Sequence, residues 1–419
     1  MDYYQEKLGT IHTTFIQTGK FKSNRIVFKF RSPLKRETIT KRSLLAMMLE
    51  TNNATYKTQT TFRRRLAYLY GANFFTSVEK KGNEHIITAV LDMVDGQLVP
   101  EGEQLLADAF AFLNEVFFNP NVSEKAFDVE TFAREKVNLK SRLESVYDDK
   151  IRYANMRLIE EMFADDVFQY PAAGILSELE GITAENLYSY YQEFLREDTI
   201  ELFICGNLSR DEVAPFVKKL GFSEREMKEL TVVPSKPATA ERLITENQPI
   251  NQAKLVLGYH TGVLFGDPDF VPLQIANGLL GGYANSKIFI NVREKASLAY
   301  YASSRVDSFK GFMLISAGID EKNREQAMTI IKEQVAAMKA GDFTEEELEQ
   351  TKELYINQLL ETSDGAQGLI ELAYSNVLKK SDLTLENWIR KIRATTKAEV
   401  VAAIQKIQED TIYFLEKGE

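Results

Sequence analysis

Gly278–Val306 reads GLLGGYANSKIFINVREKASLAYYASSRV, and its order of elements sets the frame for the rest of the chain. Val271–Leu280 carries helix formers on an apolar stripe, and Gly281-Gly282 supplies a stop where another backbone can approach. Ser286–Glu294 reads as a second helix. Ala299–Val306 then turns to a strand pattern. The glycines do not form a phosphate loop, because no Gly-Lys-Ser/Thr follows them.

Outward from this stretch, Lys254–Tyr259 and Phe312–Ile319 read as flanking strands. Helices are expected at 321–340, at 345–362 after a Thr344 cap, and at 385–394 and 397–407; Thr411–Leu415 reads as a closing strand. The first half repeats this order. Arg25–Phe30 is a strand, Thr40–Glu50 and Thr61–Tyr70 are helices, and Gly71 ends the second. Asn73–Val78 and His85–Leu91 are strands, Gly102–Val116 is a helix, and one long helical stretch covers Glu124–Ala164. A helix capped by Thr183 and a strand at Thr199–Cys205 follow. The two halves superpose with a shift of roughly 227–229 positions, so that Arg25–Phe28 lies over Lys254–Leu257 and Phe62 over Phe289. The expected architecture is α+β: two homologous domains, each a mostly antiparallel β-sheet covered by α-helices. The expected division is a first domain at 1–222, a linker at 223–250 with Pro234, Pro237 and Pro249, and a second domain at 251–419.

Composition excludes several functions. The chain has 419 residues and a net charge of -10, which argues against a nucleic-acid binder that tracks phosphates. Cys205 is the one cysteine, so an intrachain disulfide and a cysteine zinc site are excluded. His12, His85 and His260 are too dispersed for a local metal pair, His85 reads as structural, and His260 has no partner in the sequence. No apolar run reaches the length of a membrane span, and no secretory signal is legible at the start. The expectation is a soluble cytoplasmic protein with no membrane and no nucleic-acid partner.

Ser286, Phe289, Arg293, Glu294, Leu298, Ala299 and Tyr300 together resemble the C-terminal repeat of the insulinase, pitrilysin and mitochondrial processing peptidase family, with Ser297 where a glycine is usual. Leu69–Ser77 resembles the Asn-Ala-Phe-Thr-Ser region of the first repeat. Thr131–Glu135 and Asp148-Asp149 resemble the helix that carries the third metal ligand. The family hydrolyses peptides with a zinc-bound water held by H-x-x-E-H and a downstream glutamate. This chain has no such motif. The resemblance places Leu45, Met48 and Leu49 at the motif positions and Arg142, or with a one-residue shift Ser141, at the downstream ligand, so no metal or other cofactor is expected here and the chain is expected to be inactive alone.

The resemblance implies that Arg293 and Tyr300 hold the substrate backbone and the oxyanion opposite the zinc, as fixed donors suited to developing negative charge. It also implies that the strand around Asn73, Phe74 and Phe75 can receive substrate as an added β-strand. Some family members work as two chains, one with zinc and one with the arginine–tyrosine pair. By that resemblance this chain is the non-catalytic, substrate-positioning subunit of a heterodimeric zinc peptidase acting on peptides. Two repeats would form half of a clamshell chamber, and a paralogous H-x-x-E-H chain would supply zinc. The alternative is a pseudo-peptidase, as a homodimer or within a larger assembly, that binds peptides or scaffolds without proteolysis.

Overall fold

Alternating apolar residues in Ser23–Pro33 send Ile26, Phe28 and Phe30 to one side of a sheet and Arg25, Val27, Lys29 and Arg31 to the other. In this structure, a computed structural model describing residues 2–225, 230, 241–381 and 383–418, that strand lies inside a six-stranded sheet. The order is Asp2–Leu8, Ile11–Gln17, Thr199–Gly206, Ser23–Pro33, Glu84–Val94, Asn73–Lys81. Neighbours are antiparallel except Ile11–Gln17 with Thr199–Gly206. Phe28 and Phe30 meet Phe117 at 5.0 and 5.3 Å in edge contacts, and Phe62, Phe74 and Phe112 form a second aromatic group in the same core. Burial of each such ring is worth about 1.5–3 kcal/mol.

A second sheet has the order Ala299–Asp307, Phe312–Ile319, Ala253–His260, Gln408–Lys417, Arg242–Gln248. It is antiparallel apart from the last pair. The α+β reading of mostly antiparallel sheets with helices therefore stands.

The chain divides into two compact units that do not follow the expected boundaries along the sequence. The first contains Met1–Ser145, Tyr170–Thr231 and Asp364–Tyr374; the second contains Val146–Gln169, Val232–Ser363 and Ser375–Glu419. Each unit thus takes a helical segment from the opposite half. The expected helix at 124–164 is really Val129–Glu144 in the first unit and Lys150–Met162 in the second. The break arises because Asp149 accepts hydrogen bonds from the N–H groups of Ile151 and Arg152, which starts a new helix. Lys150–Met162 lays Tyr153, Ala154, Leu158 and Met162 against Val256, Phe312, Leu314, Tyr413 and Leu415. Gly258 makes that approach feasible, since a Cβ there would meet Met162 Sδ at 2.8 Å. The helix Ala366–Lys379 escaped the sequence reading, as did the hairpin of Asp2–Leu8 and Ile11–Gln17.

The expected linker needs correction as well. Arg242–Gln248 is an edge strand of the second sheet, and residues 226–229 and 231–240 lie outside the described part.

Candidate functional site

The helix Arg36–Leu49 is the one on which the resemblance would set the zinc motif, and its composition decides what it can do. From Arg42 to Leu49 every residue is buried. Leu45, Met48 and Leu49 belong to the apolar core of the first unit. The turn and a half from Leu44 to Leu49 is apolar and buried all round, so it is core and not the wall of a polar cleft. Zinc takes imidazole, thiolate and carboxylate donors, whereas these positions offer two isobutyl groups and a thioether. Arg142 stands exposed on the last turn of Val129–Glu144, whose buried side is Thr131, Phe132, Glu135, Leu139 and Leu143. Its guanidinium has no lone pair to give. The residues at the four positions do not fit the family's zinc ion. Among the described residues, no cluster of three His, Cys, Asp or Glu side chains could hold a metal.

The same helix carries a fully buried charge. Arg42 pairs with Asp198 at 2.7 Å and donates to His85 Nδ1 at 2.8 Å, Phe30 O at 2.9 Å and Tyr190 Oη at 3.1 Å. Burial first, and then the adjacent Arg42, push the His85 imidazole down to about 3. Its Nδ1 accepts from Arg42, so Nε2–H donates to Ala172 O at 2.8 Å. His85 is thus a neutral structural group.

Asn73, Phe74 and Phe75 begin the edge strand Asn73–Lys81. The pleat separates them: Phe74 is in the aromatic core, while Asn73 and Phe75 share the opposite face with Arg25 and Val27. Two successive outward backbone groups of this edge are already engaged. Thr76 N–H donates to Glu50 Oε2 at 2.7 Å, and Phe74 O accepts from Arg63 Nη1 at 3.3 Å. Thr76 Oγ1 also donates to Ala46 O at 2.7 Å. Glu50, at the end of the helix Arg36–Leu49, thus caps the strand edge.

Arg293 and Tyr300 lie in the second unit. Arg293 is exposed on Phe289–Lys295, a π-helical turn, and its guanidinium carbon sits 4.7 Å from the Phe289 ring centroid. Such turns are unusual within helices and recur at functional sites. Tyr300 sits at a register shift: Ala299 faces Ile319 and Tyr301 faces Gly318, so Tyr300 is the extra residue of a β-bulge on the edge strand Ala299–Asp307. Bulges re-aim side chains, and Tyr300 is 74% exposed. It lines a hollow of about 190 Å³ with Asn251, Gln252, Asp320, Glu321 and Lys417. Behind the strand, Gly281 lies so close that a Cβ would meet Ser304 N at 2.8 Å. Ser297 adopts φ +54°, the left-handed conformation that accounts for glycine being usual there.

These features define a class: a chain of two α+β units resembling the insulinase-type repeats, with an apolar core helix where the resemblance expects metal ligands and an exposed arginine and tyrosine on the second unit. The description "Peptidase M16 inactive domain" matches residues 181–355. The chain is 37% identical to the "Probable inactive metalloprotease YmfF" of Bacillus subtilis, covering 100% of this chain and 99% of that protein. It is 26% identical to the "Uncharacterized zinc protease YmxG" of the same organism over 58% of each. The crystal structure of a conserved protein from Enterococcus faecalis V583 matches with a TM-score of 0.95 at 37% identity, covering 100% of this chain and 99% of that one. The chain belongs to the M16 peptidase family, the family that includes insulinase and pitrilysin, and is an inactive homologue within it. Among the described residues, no helix is long and apolar enough to cross a membrane.

Proposed function

We propose that this chain is the non-catalytic, substrate-positioning subunit of a heterodimeric zinc metallopeptidase acting on peptides. A paralogous chain with H-x-x-E-H supplies the zinc. The observation that carries this reading is the contrast within one chain. The zinc positions are filled by Leu45, Met48 and Leu49 inside the core, while Tyr300 is turned out to solvent at a bulge and Arg293 is exposed on a π-helical turn. Tyr300 is 74% exposed, so its phenol is open to a ligand. Arg293 and Tyr300 offer donors for a peptide carbonyl and for an oxyanion. A further support is that B. subtilis holds both a relative named as an inactive metalloprotease and one named as a zinc protease.

The test is purification from the native host through a tag on this chain. A similar-sized H-x-x-E-H protein at a one-to-one ratio, with peptidase activity in the complex, is the expected result. In that complex Arg293→Ala lowers turnover about 100-fold or more without dissolving the assembly. Unchanged turnover would sink the role given to Arg293. Recovery of the chain alone, or only as its own dimer, would favour a pseudo-peptidase that binds peptides or scaffolds without cutting.

A further inference from the structure

An edge strand normally exposes a row of N–H and C=O groups, and an extended peptide binds by satisfying them. On Asn73–Lys81, two successive outward groups are satisfied from within the unit. The Glu50 carboxylate stands 2.7 Å from Thr76 N, where the carbonyl of an added strand would lie. The Arg63 guanidinium stands 3.3 Å from Phe74 O, where the N–H of an added strand would lie. Acceptor and donor therefore alternate along the edge as a peptide backbone would present them. Both side chains are placed by rigid elements. Glu50 is the C-cap of Arg36–Leu49, and Arg63 sits in Gln59–Tyr68, which is anchored by the Thr58–Thr61 capping box and by Phe62 in the core. Thr76 Oγ1, bonded to Ala46 O, ties the strand to the same helix.

We propose that Glu50 and Arg63 close the Phe74–Thr76 edge against added strands, so that an extended peptide pairs there only when these side chains are displaced. A charge-assisted bond to a backbone N–H is harder to displace than a neutral one, and a neutral peptide carbonyl must replace a carboxylate at Thr76. The closure also protects the edge from pairing with other chains. It concerns only the first unit, so its failure leaves the reading of Arg293 and Tyr300 untouched.

Hydrogen exchange on the full chain tests the closure directly. The Thr76 amide is expected to exchange slowly in the wild type. In Glu50→Ala it is expected to exchange about tenfold faster or more, with Glu50→Gln in between because its amide oxygen still accepts. Fast Thr76 exchange in the wild type, equal to that of Glu50→Ala, overturns the proposal. A fluorescein-labelled Thr-Val repeat octapeptide is the probe for occupancy. The Glu50→Ala, Arg63→Met double variant is expected to bind it at least tenfold more tightly than the wild type, with crosslinks to 73–77. Equal binding by both at that edge overturns the proposal. So does a folded double variant that exchanges fast at Thr76 yet binds no more peptide than the wild type.

Discussion

Ser297 shows how much one backbone angle can explain. At φ +54° an L-residue pays a steric penalty that glycine avoids. Ser297→Gly should therefore stabilise the chain by about 1 kcal/mol, raising Tm by about 1 °C in thermal unfolding of a chain this long; a lowered Tm would show that the serine makes a compensating bond. Glu201 makes the opposite kind of case. Its carboxyl is pushed up to about 7 by burial, which outweighs the neighbouring Arg31 and Lys29. Between about 4.5 and 7 the folded chain holds a proton that the unfolded chain has released, so this group's contribution to stability falls as pH rises through that window. Glu201→Gln should be more stable than the wild type at pH 8, and the advantage should vanish below about pH 4.5. Parallel denaturation curves at all pH values would refute the assignment. Neither effect was legible from residue type alone: a left-handed φ and a buried carboxyl are properties of place.

At the scale of elements, the two transferred helical segments dock by different physics. Lys150–Met162 rests on an apolar sheet face. Asp364–Tyr374 meets the first sheet through charges on either side of an apolar strip that includes Val27, Phe203 and Val90. Glu371 reaches Lys29 at 2.6 Å and Lys81 at 3.0 Å, Gln367 accepts from Arg25 at 2.8 Å, and Tyr374 lies under Lys29 at 4.4 Å and edge-on to Phe203. Such pairs roughly offset their own desolvation, and losing Glu371 leaves the buried Lys29 ammonium with only half of its carboxylate pair, Glu79 at 2.9 Å. Glu371→Ala is therefore expected to speed amide exchange within 364–374 while leaving 150–162 unchanged. Equal acceleration of both would mean the segment is held by something other than these charges. The alternation of Arg25, Val27, Lys29 and Arg31 gathers charged residues on one strand face, yet Lys29 and Arg31 are 1% and 3% exposed. Periodicity reports which residues share a face. It does not report what covers that face.

For the whole molecule, the exchange of segments has a direct consequence. Without Asp364–Tyr374 the first unit loses Glu371, which pairs with Lys29 and Lys81, and without Val146–Gln169 the second loses half of an apolar cluster. Separate expression of 1–225 and 241–419 should give less stable, less cooperative fragments than the intact chain, and co-expression should restore folding. Two independently stable halves with native-like Tm values would contradict this dependence.

The sequence by itself determined the repeated α+β order, the family, and the absence of the zinc donors. Those conclusions depend on local periodicity and on which atoms a side chain carries, and both are written in the chain. Only the tertiary structure decided that Glu50 and Arg63 seal an edge strand, that Tyr300 is thrown outward by a bulge, and that each unit completes itself with a segment from the other half. These depend on through-space distances between residues such as Glu50 and Thr76, or Lys29 and Glu371, which no local pattern encodes.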